Sequence, residues 1–192
     1  MNNVVVLGSA SARRHKVLRD LGIPFEVVTA DVDEILDPLD PVHTARVNAR
    51  RKFDALRPRF RDRWMLTADT VVFVGGRCLG KPRDFEDGVN MLVSFSNAEQ
   101  VVVTAMVFAE PNGPPCPVEE KSVIRFGTIT DADARAYIGR HHTTDRAGAY
   151  DLESFAPYVR EIIGSATNIR GLPSEAVASF YSKLLPAGSN CA

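Results

Sequence analysis

The apolar positions along this chain follow two patterns, continuous or alternating runs and runs with a helical period. The first pattern predicts strands at residues 4–7, 25–29, 64–79, 101–109, 118–129 and 158–163. The second predicts helices at residues 13–21, 44–56, 85–95, 130–138 and 174–185. The longest strand segment is expected to fold back at Gly75-Gly76, a pair typical of hairpin turns. Thr130 with Asp133 resembles a capping box at a helix start.

In chain order these elements read β-α-β-α-β-β-α-β-β-α-β-α. Such an order mixes crossovers, which join parallel strands, with hairpins, which join antiparallel strands. It predicts an α/β fold with a mixed central sheet flanked by helices. We expect one domain over residues 1–186 and a frayed tail at residues 187–192.

The overall charge of the chain is close to neutral, with a formal net charge of −1. This balance gives no global attraction to a nucleic-acid polymer or to an anionic membrane. No apolar run approaches the roughly 18 residues of a spanning helix. The cysteines Cys78, Cys116 and Cys191 lie far apart and form no metal-binding spacing. Widely spaced cysteines of odd number are typical of reduced thiols, so we expect a cytoplasmic protein.

Small residues separate the first predicted strand from the first helix, in the sequence GSASARR (8–14). Exposed backbone N–H groups at a helix N-terminus suit an anion such as phosphate. Ser9 and Ser11 add hydroxyl donors, and Arg13 and Arg14 add planar forks that match phosphate oxygens. The segment lacks the Gly-Lys-Ser/Thr ending of a Walker A loop. Taken alone, it favours an ordinary tight turn beside two solvated arginines.

Asp69 interrupts the most apolar strand segment of the chain, in the sequence TADTVV (67–72). A carboxylate in a strand interior is costly unless it is paired, exposed or bound to a metal. One interpretation is an edge strand with Asp69 facing water. Because the run is apolar on both sides, we favour a carboxylate that binds a divalent cation or activates a water.

Three further charged residues are candidates for the same chemistry. Glu34 ends the acidic sequence DVDE (31–34) and is able to join Asp69 around Mg²⁺, although a solvated acidic loop is more common. Lys52 lies in a basic helix and shares a face with Asn48, one turn earlier. A solvated basic face is the simpler interpretation there. Lys81 precedes Pro82 in a rigid position suited to presenting an ammonium group.

Seven short motifs, in order along nearly the whole chain, resemble the Maf proteins, which are nucleoside triphosphate pyrophosphatases also described as septum-formation inhibitors. They read SASARRHKVLRDLG (9–22), DVDE (31–34), ARRKF (49–53), ADTVV (68–72), GGRCLGKPRD (75–84), DRAGAYDLES (145–154) and NIRGLP (168–173). The family's versions of the last two are DKAGAYGIQG and NVVGLP. The resemblance implies a Maf/ITPase-like two-lobed fold with a cleft between the lobes, and a homodimer.

The resemblance also implies an activity and a set of residues. Family members cleave between the α- and β-phosphates with a divalent metal, Mg²⁺ or Mn²⁺, and release a monophosphate and pyrophosphate. Asp69 is then implied to accept the proton of the attacking water and, with Glu34, to bind the metal. Lys52 and Lys81 are implied to be catalytic, through the leaving pyrophosphate. The implied substrate-binding residues are Ser9, Ser11, Arg13, Arg14, Thr70 and Glu153.

Base preference is where this chain departs from the family pattern. A dTTP/UTP-type subgroup carries Arg, Thr and Gln where this chain has Arg13, Thr70 and Glu153, and a subgroup acting on 7-methyl-GTP carries Trp, Gln and Glu. A carboxylate only accepts hydrogen bonds, whereas an amide both accepts and donates. Two of the three markers thus favour dTTP or UTP as the substrate, and the third points elsewhere, to a modified nucleotide. Our hypothesis is that Glu153, if it contacts the base, weakens a preference for pyrimidines.

Other departures are Ala12 for Pro, Arg146 for Lys and Asp151 for Gly. They keep open an alternative function, a nucleotide-binding regulatory protein in cell-division control with little catalysis. Intact Asp69 and its two lysines favour the enzyme.

Overall fold

The computed structural model describes residues 4–141 and 146–184 of the chain. The strands of this part are β1 (Val5–Gly8), β2 (Phe25–Val27), β3 (Met65–Val74), β4 (Arg77–Leu79), β5 (Glu99–Ala109), β6 (Cys116–Phe126) and β7 (Val159–Ile163). Its helices are α1 (Ala12–Asp20), α2 (Pro41–Leu56), α3 (Phe85–Val93), α4 (Asp131–Arg140), α5 (Ala166–Ile169) and α6 (Ser174–Tyr181). The predicted tail at residues 187–192, Cys191 and Asp145 of the sixth motif lie outside the described residues.

The strands form one mixed sheet in the order β2-β1-β3-β5-β6-β7, with β4 paired to β3. β1 runs parallel to β2 and β3, and the pairs from β3 through β7 are antiparallel. The predicted mixed sheet flanked by helices is therefore confirmed. The hairpin between β3 and β4 is confirmed as well, since Gly75 and Gly76 adopt φ values of 57° and 80°, as a two-residue hairpin turn requires.

The helices begin where local capping allows, and this corrects two predictions. α2 starts at Pro41 rather than at residue 44, because the Asp40 side chain accepts from the backbone N–H of His43 and Pro41 fits the first helical turn. The capping box of Thr130 and Asp133 is confirmed, with both hydrogen bonds formed. The short helix α5, capped by Ser165, was not among the predicted helices. Among the described helices, none is long and apolar enough to cross a membrane.

Side chains of β3 alternate between the two faces of the sheet. Met65 and Val71 pack in one cluster with Phe53 of α2. Leu66 and Ala68 face the opposite side and share a cluster with residues of α1 and α6. Asp69 follows the alternation of Met65 and Val71, so it faces α2.

One edge of β3 has a gap between two partner strands. β1 pairs with Met65 to Thr67, and β4 pairs with Val72 to Val74, while β5 covers the other edge along the whole strand. β1 and β4 therefore line up on the same edge and leave Ala68 to Val71 between them. The loops that leave β1 and β4 open at this gap, and Asp69 lies inside it.

Candidate functional site

Asp69 is the centre of a small polar cluster between β3 and α2. It is only 8% exposed, so the interpretation of an exposed acid on an edge strand is wrong. Lys52 Nζ lies 2.7 Å from Asp69 Oδ1, and Asn48 Nδ2 donates to Asp69 Oδ2 over 3.2 Å. Each carboxylate oxygen therefore has its own donor. Asn48 and Lys52 are one helical turn apart, which brings both to the same strand residue.

Lys52 also joins the acidic loop to the strand. Its Nζ lies 2.7 Å from Glu34 Oε1 as well as from Asp69, and its side chain is only 12% exposed. The neighbouring basic residues of α2 behave differently, since Arg46 pairs with Glu119 and Arg50 with Asp54, all of them solvent-accessible. A solvated basic face thus describes these arginines and not Lys52.

Asn48 is a residue that sequence reasoning did not assign to the site. Its side-chain amide also donates to the carbonyl of Ile35 over 2.9 Å and accepts from the Ile35 N–H over 2.8 Å. This two-way contact fixes the loop next to Glu34. Its helical spacing from Lys52 was the one signal that pointed to it.

Arg14 anchors the loop after β1. Its Nε donates to Gly171 O at 2.8 Å, Nη1 donates to Ser9 Oγ and Ala68 O, and Nη2 donates to Thr70 Oγ1, each at 2.9 Å. Four of its five N–H groups are thus used by the protein. Burial lowers the pKa of Arg14 from its ordinary value, yet guanidinium remains charged at neutral pH. Its contact with phosphate stays a prediction.

A glycine is needed where Arg14 meets the chain beyond α5. Gly171 has φ of +95°, and a Cβ there would lie 3.3 Å from Thr70 Oγ1 and 3.5 Å from Arg14 Nε. Both the backbone conformation and the tight approach to the Thr70 hydroxyl disfavour a side chain. The glycine of the GLP sequence therefore allows the chain to pack against Arg14 and accept its hydrogen bond.

The gap in β3 is the floor of a cleft of about 830 Å³, a size typical of small-molecule sites. Every predicted site residue except Glu153 lines it, namely Ser9, Ser11, Arg13, Arg14, Glu34, Lys52, Asp69, Thr70 and Lys81. Arg146 and Arg170 add to the wall. Six cationic side chains thus face two carboxylates, and the cleft suits a polyanion carrying its own metal.

A narrow recess adjoins the cleft on the side of residues 147–152. Arg13, Thr70, Ala147 and Arg170 line both. The remaining walls of the recess are largely apolar or aromatic, from Val72, Val102, Tyr150, Leu152 and Ile169, with one acid, Asp151.

Glu153 lies at the rim and not in the wall of either cavity. Its Oε1 is 2.7 Å from Arg170 Nη2, and its side chain is 63% exposed.

The departures from the family pattern have structural explanations. Arg146 Nη1 lies 3.5 Å from Asp151 Oδ2, so two departures form one ion pair. Ala12 is the first residue of α1. Proline is favoured at that position, but alanine also adopts the helical conformation readily.

A divalent cation has two candidate protein ligands here. No group of three or more His, Cys, Asp or Glu residues that suits a metal occurs in the described part of the chain. Glu34 and Asp69 both contact the Lys52 ammonium, each over 2.7 Å. Two carboxylates together with substrate phosphates and waters form a donor set that Mg²⁺ accepts. The residues present fit such an ion once the ammonium moves off at least one carboxylate.

Comparisons of the sequence with a family model and with curated proteins agree on one family. The model of the Maf-like protein family matches residues 4–184. A dTTP/UTP pyrophosphatase of Aquifex aeolicus is 36% identical over 170 residues, 88% of this chain and 89% of that protein. One of Ralstonia nicotianae is 37% identical over 180 residues, 87% of either chain.

Solved structures that are similar to this chain include the Ham1 protein of Staphylococcus aureus. It has a TM-score of 0.48 and 12% identity over 94% of this chain and 97% of its own. A HAM1 protein of Coxiella burnetii has a TM-score of 0.49 and 14% identity over 94% and 98%.

Proposed function

This chain belongs to the Maf family, and from that premise we propose that it is a nucleoside triphosphate pyrophosphatase. It would hydrolyse a nucleoside triphosphate to the monophosphate and pyrophosphate. The observation that carries the proposal is the buried Asp69, held by Lys52 and Asn48 on the floor of a cationic cleft. The relatives named dTTP/UTP pyrophosphatase support it. They favour the enzyme over the nucleotide-binding regulatory protein.

Asp69 is the proposed general base. An attacking water gives a proton to its carboxylate while the water oxygen bonds to the α-phosphorus. The bond from the α-phosphorus to the oxygen bridging to the β-phosphate breaks, and pyrophosphate leaves. Lys52 and Asn48 fix the carboxylate in one orientation, which a positioned base requires.

The proposed phosphate ligands come from the two segments that follow β1 and β4 at the gap in β3. Ser9, Ser11 and Arg13 follow β1, and Lys81 follows β4. A triphosphate carries about four negative charges near neutral pH, so several cations are needed to offset them. Arg14 would act chiefly by holding the first loop and Thr70 in place.

A divalent cation, Mg²⁺ or Mn²⁺, is the proposed cofactor, with Glu34 and Asp69 as protein ligands. When bound, it neutralises phosphate charge and favours departure of pyrophosphate. The proposal extends to a cytoplasmic homodimer, on the family resemblance and on the spacing of the cysteines.

The base preference proposed here is for uracil and thymine, as in the names of the relatives. Arg13 and Thr70 match the pattern of that subgroup and line the recess beside the cleft.

Pyrophosphate release tests the proposal. Wild type and Asp69→Asn are assayed with UTP, dTTP, CTP and 7-methyl-GTP in Mg²⁺ or Mn²⁺. Loss of a general base lowers the rate by about 10²- to 10⁴-fold, so wild type is expected to turn over UTP and dTTP and the variant to be nearly inactive. If both are inactive on every nucleotide while still binding one, the regulatory alternative is correct.

A further inference from the structure

The Glu153–Arg170 ion pair stands where the cleft meets the recess. Arg170 lines both cavities, together with Arg13 and Thr70. The recess holds only about 30 Å³, room for a water or two. A base attached to phosphates in the cleft would therefore lie across the mouth of the recess. Arg170 and its partner Glu153 are at that mouth.

The side chains of Arg170 and Glu153 lie next to each other at the rim and differ in exposure. Arg170 is 31% exposed and Glu153 is 63% exposed, and Arg170 Nη2 lies 2.7 Å from Glu153 Oε1. One oxygen of the carboxylate is thus paired, and the other keeps its capacity to accept. The guanidinium contacts this oxygen through Nη2, and a guanidinium carries five N–H donors in all. An acceptor and donors therefore lie side by side.

This combination changes what the acid can recognise. An unpaired carboxylate suits guanine, whose N1–H and amino group are adjacent donors, and repels a carbonyl oxygen. A carboxylate beside a guanidinium presents an acceptor next to a donor, as a side-chain amide does. Uracil and thymine present the complement, an N3–H next to a carbonyl.

The charge of the pair is a second reason why Arg170 makes Glu153 compatible with a bound base. A base that covers an unpaired carboxylate removes water from it, which is costly. When Arg170 is present, the base covers a neutral pair and no uncompensated charge is left.

The geometry points to Arg170 as a specificity-determining residue. Arg170 and Glu153 together form hydrogen bonds with the base, and this makes Glu153 compatible with a uracil or thymine nucleotide. The inference rests on the proposed function, because it assigns the base preference of the same site. Arg170 occupies a position that is valine in the family pattern NVVGLP, and Glu153 replaces glutamine. The pair thus replaces one amide by two charged residues.

The test compares UTP with GTP, since phosphate and ribose are the same in both. The ratio of their kcat/KM values is measured for wild type, Arg170→Val and the double variant Glu153→Gln/Arg170→Val. Arg170→Val leaves an unpaired acid, and the UTP:GTP ratio is expected to fall about tenfold or more, as for loss of a hydrogen bond to a charged group. The double variant, with an amide alone, is expected to regain most of the wild-type ratio.

Arg135→Val is the control, because Arg135 forms exposed ion pairs with Glu86 and Asp131, none of which lines the cleft or the recess. It is expected to leave the ratio unchanged. An unchanged ratio in Arg170→Val, or a double variant as impaired as Arg170→Val, would overturn the inference. If Arg170→Val does not fold, Arg170→Lys takes its place, and a smaller fall in the ratio is expected.

Calorimetric binding of UMP and GMP separates this inference from the proposed function. A wild type that hydrolyses no triphosphate contradicts the proposed function alone. The inference is then decided by whether Arg170→Val shifts the UMP:GMP affinity ratio at least about tenfold, by the same hydrogen-bond argument, and whether the double variant restores it.

Discussion

The ammonium of Lys52 lies 2.7 Å from Asp69 Oδ1 and at the same distance from Glu34 Oε1. A single cation thus holds together the strand carboxylate and the loop carboxylate that we propose as metal ligands. The arrangement places an internal cation where a divalent ion and substrate phosphates are expected to act. Exchange between these cations gives the first prediction.

Lys52→Met is expected to raise the affinity of the nucleotide-free protein for Mn²⁺, because the ammonium no longer competes for Glu34 and Asp69. The same change is expected to lower pyrophosphate release by about 10²-fold or more, since the cation that we propose to hold Asp69 in one orientation is lost. Mn²⁺ binding is measured by electron paramagnetic resonance. Lys16→Met, which removes an exposed pair with Asp20, is the control. Weaker Mn²⁺ binding by Lys52→Met than by wild type would contradict the assignment of the two carboxylates.

Asn48→Ala is expected to lower both stability and kcat. Asn48 is buried and satisfies Asp69 Oδ2 and both backbone groups of Ile35. Leaving buried polar groups unpaired costs about 1–3 kcal/mol of the free energy of unfolding, which urea titration measures. Because the carboxylate loses one of its two fixed partners, kcat is expected to fall more than KM changes. Asn90→Ala, at an exposed position of α3, serves for comparison, and equal kcat values in the two variants would disprove the role of Asn48.

Gly171→Ala is expected to lower the free energy of unfolding by about 1–3 kcal/mol, the range for a residue forced into a rarely adopted backbone conformation. The φ of +95° opposes a methyl group, and so does Thr70 Oγ1, which would lie 3.3 Å from the added Cβ. Gly139→Ala is the matched control. Gly139 lies in α4 with open space around it, so alanine there is expected to be neutral or stabilising. The assignment fails if the two variants unfold at the same urea concentration.

Because the thiol of Cys78 is buried, we expect the free energy of unfolding to depend on pH in the alkaline range. Burial, with the carboxylates of Asp37 and Asp40 adding to it, raises the pKa of Cys78 from an ordinary value near 9 to about 11. The folded state therefore holds the thiol proton more tightly than the unfolded state. This contribution to stability is complete below pH 9 and is lost as the pH rises from about 9 towards 11.

Urea titrations of wild type and Cys78→Ala between pH 8 and pH 11 measure this contribution. Other groups titrate in the same range, so the comparison of the two proteins isolates Cys78. Stability of wild type is expected to decline more steeply than that of the variant. Parallel declines would show that the thiol has the same pKa in both states.

Parts of the site were predictable because local rules fix them. Asp69 stands out as an acid in an apolar strand, and the spacing of Asn48 and Lys52 places both on one face of α2. The hairpin at Gly75-Gly76 follows from residues that accept positive φ. Each inference needs only neighbours within about one turn of helix or one hairpin.

Other parts were not predictable, since distant segments decide them. Helix α5 is only four residues long, too short to show a helical period, and it was missed. Glu153 stood out only as a departure from a motif and Arg170 was not a candidate, because only the tertiary structure brings the two together as an ion pair beside the recess. Arg146 and Asp151 are separate departures in sequence and one ion pair in space.

The sequence by itself determined the strands, the longer helices, the mixed character of the sheet and the charged candidates for the chemistry, because periodicity and turn residues act locally. Only the tertiary structure decided that β1 and β4 share one edge of β3 and leave Asp69 in the gap between them. It also decided that Arg14 holds loops together, through a hydrogen bond to the carbonyl of Gly171, 157 residues away. Contacts of this kind depend on strand pairing and packing across the whole chain, and no local pattern of residues encodes them.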